Sequence, residues 1–175
     1  MNHFYLVGSS LLLLFPIILF IRNPNKNAYE TGLAILLSCN IILSFLFWMQ
    51  PIRHNQIHFY DGIFAKISVV LFTIYILFVK KMENIYTLLF FFFLFIALYM
   101  FYCSSIHSCQ EWCSDTHIIY HLIFHIFISL GCMVVFIPFI EPVESKIPTS
   151  VESLILTSVE SKILTPKSVE SKILI

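Results

Sequence analysis

Charge is what this chain has least of. Asp, Glu, Lys and Arg together make up 11% of its 175 residues, and they cancel to zero formal net charge. Soluble domains run near 25% charged. Phosphate backbones are gripped by clustered Lys and Arg, and no such cluster exists here, so nucleic acid is excluded as a partner. Several catalytic signatures are also missing. The chain has no G-x-S-x-G elbow, no Walker-type phosphate loop and no H-E-x-x-H pair. Its five cysteines form no C-x-x-C, which removes zinc ribbons and thioredoxin-type sites. The first apolar run lacks a basic leader and an A-x-A-like cleavage site, and so reads as a retained helix rather than a signal peptide.

What the chain has in excess is apolar residue, 59% of the total. It falls in five long runs, Phe4–Ile21, Gly32–Trp48, Ile63–Val79, Ile85–Phe101 and Ile118–Ile140. A hydrocarbon core about 30 Å thick takes roughly 20 apolar residues per helical crossing. Backbone groups in lipid must be satisfied within their own segment, so each run is expected to be a helix. The fold class is therefore all-α, a polytopic bundle over 1–140 embedded in a lipid bilayer, where other membrane helices are natural partners. Residues 141–175 repeat a short unit, Val143-Glu-Ser-Lys-Ile and its copies at Val151, Val159 and Val169. Their composition predicts a disordered tail.

Basic residues set the orientation. Arg22, Lys26, Lys80, Lys81, Lys146, Lys162, Lys167 and Lys172 fall on one side of a five-crossing chain, and Arg53 alone on the other. The bias predicts an outside or lumenal N-terminus and a cytoplasmic tail. Lys66 lies near the start of the third run, where its stem can snorkel to the interface. Pro16 is expected to kink the first helix. Cys39 and Cys132 read as core residues, whereas Cys103, Cys109 and Cys113 flank an outer loop where a disulfide is compatible with a lumenal setting. Charged residues at mid-membrane, usual in transporters and channels, are nearly absent.

The residues with chemical capability gather at one membrane face. His117 and His121 are four apart, which brings their Cβ atoms within about 5–6 Å on one helix face. Two imidazoles so placed can reach one metal. His125 continues the stripe a turn deeper. Helix alternation puts Trp48, His54, His58, Asp61, His107 and Asp115 on the same side as this pair. Asp61 is also placed to favour the N-terminal dipole of the third helix. A zinc site needs three protein ligands and an open position, so the third nitrogen would come from His54, His58 or His107. Asp61 would orient the bound water.

The stretch Asp115-Thr-His117-Ile-Ile-Tyr-His121 resembles the last-helix motif of the seven-helix hydrolase superfamily of alkaline ceramidases and progestin/adiponectin-type receptors. Asp61 with Ala65 resembles that superfamily's third-helix Asp with a small residue four later, and Ser44 its second-helix Ser. The resemblance implies zinc held by three histidines, with Ser and Asp nearby, and hydrolysis of lipid amides or esters. It covers about 15 residues in two patches. The superfamily's histidine four residues after the Ser is Trp48 here, and five runs replace seven crossings.

Two readings of function follow. One is a membrane protein without chemistry of its own, with a structural or interaction role. The other is a zinc-dependent lipid amide or ester hydrolase, with His117 and His121 as ligands, Asp61 at the water and Ser44 as a supporting hydrogen-bonder.

Overall fold

The computed structural model of the chain describes residues 4–138. The repeats of 141–175 and the final residues of the expected last helix lie outside them. Among the described residues every regular element is helical. Five helices are long and apolar enough to cross a membrane: α1 Phe4–Arg22, α2 Ala28–Met49, α3 Gln56–Val79, α4 Asn84–Gln110 and α5 Asp115–Phe136. Phe78 and Phe95 are 79% and 73% exposed on the outside of the bundle. Exposed apolar surface of this kind is covered by lipid in a membrane protein.

Three helix starts differ from the apolar runs because polar capping residues extend them. Asn27, Asn55 and Ser114 are N-caps, and each accepts the backbone N–H of the residue three positions on, Glu30, His58 and His117. So α3 begins at Gln56, not at Ile63. Asp61 lies inside the helix rather than at its start, and His58 lies on the helix rather than in a loop. Lys66 is correspondingly deeper, ten residues beyond Gln56 or about 15 Å along the axis, on an exposed face. The last helix begins three residues earlier than its apolar run and ends at Phe136. The fourth continues to Gln110, nine residues past Phe101.

Pro16 does not break α1. It has no N–H for the carbonyl of Leu12, and the chain tightens into a 3-10 turn at Leu11–Leu13 just before it. The hydroxyl of Ser129 on α5 donates to Leu12 O at 2.8 Å, filling the vacancy. Removing that donor should leave the half-buried Leu12 carbonyl with the backbone N–H of Leu14. Ser129→Ala is expected to cost about 0.5–1.5 kcal/mol, read as a lower midpoint for detergent-driven unfolding. An unchanged midpoint would mean that the Leu14 N–H satisfies Leu12 O by itself.

The opposite end of the bundle from the histidines is tied by a buried ion pair. The Nζ of Lys80 donates to Glu30 Oε1 at 2.9 Å, with the side chains 8% and 4% exposed. Tyr75 Oη donates to the same oxygen at 2.9 Å and accepts from Asn27 Nδ2 at 2.9 Å. Asn23 Nδ2 donates to Glu30 Oε2 at 3.4 Å. Lys80 also donates to the carbonyls of Val135 and Ile137, capping the C-terminus of α5, where a cation meets the negative end of the dipole. Tyr75–Val79, the last turn of α3, is a π-helix that brings Tyr75 and Lys80 to this knot.

Packing around α3 is lopsided. α4 and α5 form the most extensive pair, α1 lies across α2 and α5, and α3 rests mainly on α2. Phe72 meets Phe136 of α5 edge-on at 5.8 Å, closing α3 against α5 near the ion-pair end. Toward the histidine end α3 makes no extensive contact with α4 or α5, and a cavity opens between them.

Candidate functional site

The cavity exists because the face that α3 turns inward is small. His58, Asp61, Gly62, Ala65, Ser68 and Phe72 recur at three- and four-residue steps and all line it. A Cβ built on Gly62 would meet nothing within 4 Å. The volume is about 300 Å³. Opposite stand Ser44 and Trp48 of α2, Ser104 of α4, and His117, His121 and His125 of α5. Deeper in, Leu37, Phe90, Leu94 and Ile128 make the walls apolar.

Most of the sequence-predicted residues therefore meet at one place. Ser44, His54, His58, Asp61, His117 and His121 all line the cavity. His107 does not line it: its ring stacks on Tyr120 at 5.3 Å and 11°. The α5 stripe is continuous, with ring centroids 6.0 Å apart for His117 and His121 and 4.9 Å for His121 and His125. Trp48 lies against it, 4.9 Å from the His121 ring and 6.0 Å from that of His117. It is 1% exposed, and its indole N–H has no acceptor among the described residues.

Hydrogen bonds fix which imidazole nitrogen carries the proton. Cys113 N–H donates to His117 Nδ1, and His54 N–H donates to His58 Nδ1, both at 3.3 Å. A ring nitrogen that accepts an N–H bears a lone pair, so the neutral ring carries its hydrogen on Nε2. The two donors, His54 and Cys113, have φ of 63° and 61°, a region L-residues seldom occupy and usually at a cost. These turns aim each N–H back at the first helical turn, where Asn55 and Ser114 already cap the residue carrying the ring. His58 and His117 are thus reciprocal caps, with imidazole in the place usually held by Glu or Gln.

This arrangement does not fit the zinc that the resemblance implies. A histidine ligand binds metal through one nitrogen's lone pair and donates its other N–H outward. In His117 and His58 the lone pair already faces a backbone N–H. Trp48 fills the space beside His117 and His121 where a third imidazole would stand. Among the described residues no group of three or more His, Cys, Asp or Glu is placed to hold a metal ion. His121 Nδ1 lies 3.2 Å from Ser104 Oγ, and His125 Nδ1 2.7 Å from Ser9 Oγ. These are interhelical bonds of the sort that hold membrane bundles together.

All five cysteines are free, so the segment joining α4 and α5 carries no disulfide. Burial raises the Cys113 thiol above its ordinary pKa, which disfavours the thiolate that exchange requires.

The interior is also wetter in chemistry than the runs suggested. Ser10 and Ser44 share a 3.0 Å hydrogen bond, and Asn40 Nδ2 donates to Ser68 Oγ. None of these groups is charged, and together they form a polar seam that the apolar runs did not announce. Arg53 and Trp112, not singled out from sequence, also line the cavity. The Arg53 guanidinium lies 5.8 Å above the Trp112 ring, and Trp112 Nε1 donates to Pro51 O at 2.9 Å. Their signal was faint: an isolated Arg and Trp at the ends of two outer loops.

The site and fold define a class, an integral membrane helix bundle with an internal cavity that is polar at one face and apolar below. Comparison with family models, curated proteins and solved structures gives no match.

Proposed function

We propose that the protein is a membrane-embedded binding protein whose cavity takes an amphiphilic, lipid-like molecule, polar end toward the histidines. The observation that carries this reading is the cavity itself. Its α3 wall is built from small residues, its floor is apolar, its mouth is polar, and α3 and α4 do not close over it. Ligand sites are typically concave and largely apolar, with a few convergent polar groups. In this reading the N-terminus faces outside or into a lumen and the tail is cytoplasmic, as the Lys and Arg distribution favours.

The test is native mass spectrometry of full-length protein released from detergent, wild type beside Gly62→Phe. The Phe ring would occupy the space that no neighbour fills. Wild type should retain about one lipid-sized adduct per chain and the variant should lose it. Bare wild-type protein, or equal retention by both, would contradict cavity binding.

A second reading, zinc-dependent hydrolysis of a lipid amide or ester, draws on the meeting of Ser44, Asp61, His117 and His121 around one cavity. The pinned His117 ring and Trp48 weigh against it. Metal analysis separates the two. The binding reading expects no stoichiometric zinc, whereas zinc near one per chain, lost in His117→Ala/His121→Ala, would favour hydrolysis.

A further inference from the structure

The polar mouth carries more information than its polarity. His117 is 3% exposed, lines the cavity, and has its Nδ1 occupied by Cys113 N–H. That leaves its Nε2–H as the donor on the other edge of the ring. The buried donor without an acceptor among the described residues is the Trp48 indole N–H, which also lines the cavity and is a group that a ligand would satisfy. His58 is held in the same tautomer from the other side of the cavity. The two rings bracket Trp112, whose centroid is 5.4 Å from that of His58 and 5.1 Å from that of His117. Arg53 lies over the same indole. Two imidazoles and a guanidinium thus pack around one indole at the mouth.

Among the described residues, one acidic side chain lines the cavity. Asp61 is three residues beyond His58 on the same face of α3, deeper than Arg53. A purely anionic head would meet Arg53 and the two N–H groups but would be opposed by Asp61. A purely cationic head would meet Asp61 and be opposed by Arg53. A head carrying both charges satisfies the whole set.

We propose that the cavity binds a zwitterionic phospholipid. Its phosphate oxygens accept from Nε2–H of His58 and His117 and from the Arg53 guanidinium, and its ammonium group faces Asp61. Part of one acyl chain lies along Phe90, Leu94 and Ile128. The other chain stays in the bilayer through the gap between α3 and α4. Phosphate recognised by Arg and fixed N–H donors is a strong, charge-assisted arrangement. This inference rests on the amphiphile-binding reading, and the experiment separates the failure of each.

The chain's two tryptophans both line the cavity, so intrinsic fluorescence reports on its contents. Full-length protein in nonionic micelles is titrated with phosphatidylcholine, phosphatidylglycerol or diacylglycerol, all brominated on the same acyl chains. Phosphatidylcholine should quench saturably, at roughly one-tenth the mole fraction needed by either competitor, as expected when charge-assisted hydrogen bonds are gained or lost. Arg53→Gln should weaken phosphatidylcholine several-fold, and Asp61→Asn should narrow its lead over phosphatidylglycerol. Equal quenching by all three lipids, abolished in Gly62→Phe, would overturn the headgroup assignment and leave cavity binding intact. Quenching unchanged in both Gly62→Phe and Ala65→Phe would place the lipid outside the cavity and overturn both.

Discussion

Lys80→Met is expected to destabilise the bundle by about 3–5 kcal/mol, the usual penalty for removing one partner of a buried ion pair. The lysine joins three helices. It pairs with Glu30 at the start of α2, follows the last turn of α3, and caps the carbonyls of Val135 and Ile137 at the end of α5. Among the described residues, its loss leaves the Glu30 carboxylate with Tyr75 Oη and Asn23 Nδ2 as donors. It also leaves two helix-end carbonyls without their cation. The measurement is the SDS fraction at half-unfolding in mixed micelles. Glu30→Gln/Lys80→Met should be less destabilised than the sum of its single variants, because neutralising Glu30 removes the stranded charge. Additive losses would mean that the two side chains do not interact in the membrane.

The second large effect is expected at Trp48. Trp48→Ala removes a side chain packed against Phe47, Trp112, His117 and His121 and should cost about 3–5 kcal/mol. Trp48→Phe should cost less than about 1.5 kcal/mol, since the indole N–H that it deletes has no acceptor among the described residues. The contrast, read in the same unfolding assay, tests whether Trp48 is a packing residue. If phenylalanine costs as much as alanine, the N–H makes a hydrogen bond that the packing account lacks.

The sequence made the membrane class legible because lipid imposes length and apolarity on every crossing. The helix count follows from that constraint and agrees with the five spans. The helix starts were less legible because the caps lie upstream of the apolar runs. Asn55 with His58, and Ser114 with His117, are capping pairs in which His stands for the usual Glu, so the pattern was missed and α3 was begun seven residues late. Alternation of helices put Trp48, His54, His58, Asp61, His117 and His121 on one side, and all of them line the cavity, since sidedness needs only the number of crossings. His107, put there too, does not line it, and Ser44 was reached only through the resemblance. What it could not supply was the direction of each ring's hydrogen. That depends on the left-handed backbone at His54 and Cys113, which residue type alone announces weakly for His and not at all for Cys. The Glu30–Lys80 pair was hidden for a related reason. Its members are 50 positions apart; Lys80 was read only as an orientation charge, and Glu30 was not singled out.

The most direct test of cavity binding is photo-crosslinking in native membranes with a phosphatidylcholine analogue carrying a photoreactive acyl chain, followed by mapping of the modified peptides. The binding account predicts adducts on the cavity wall, at Leu94 of α4 and Ile128 of α5, that disappear in Gly62→Phe. Adducts confined to outward residues such as Phe78 and Phe95, and unaffected by that substitution, would show that lipid only surrounds the bundle and would contradict the account.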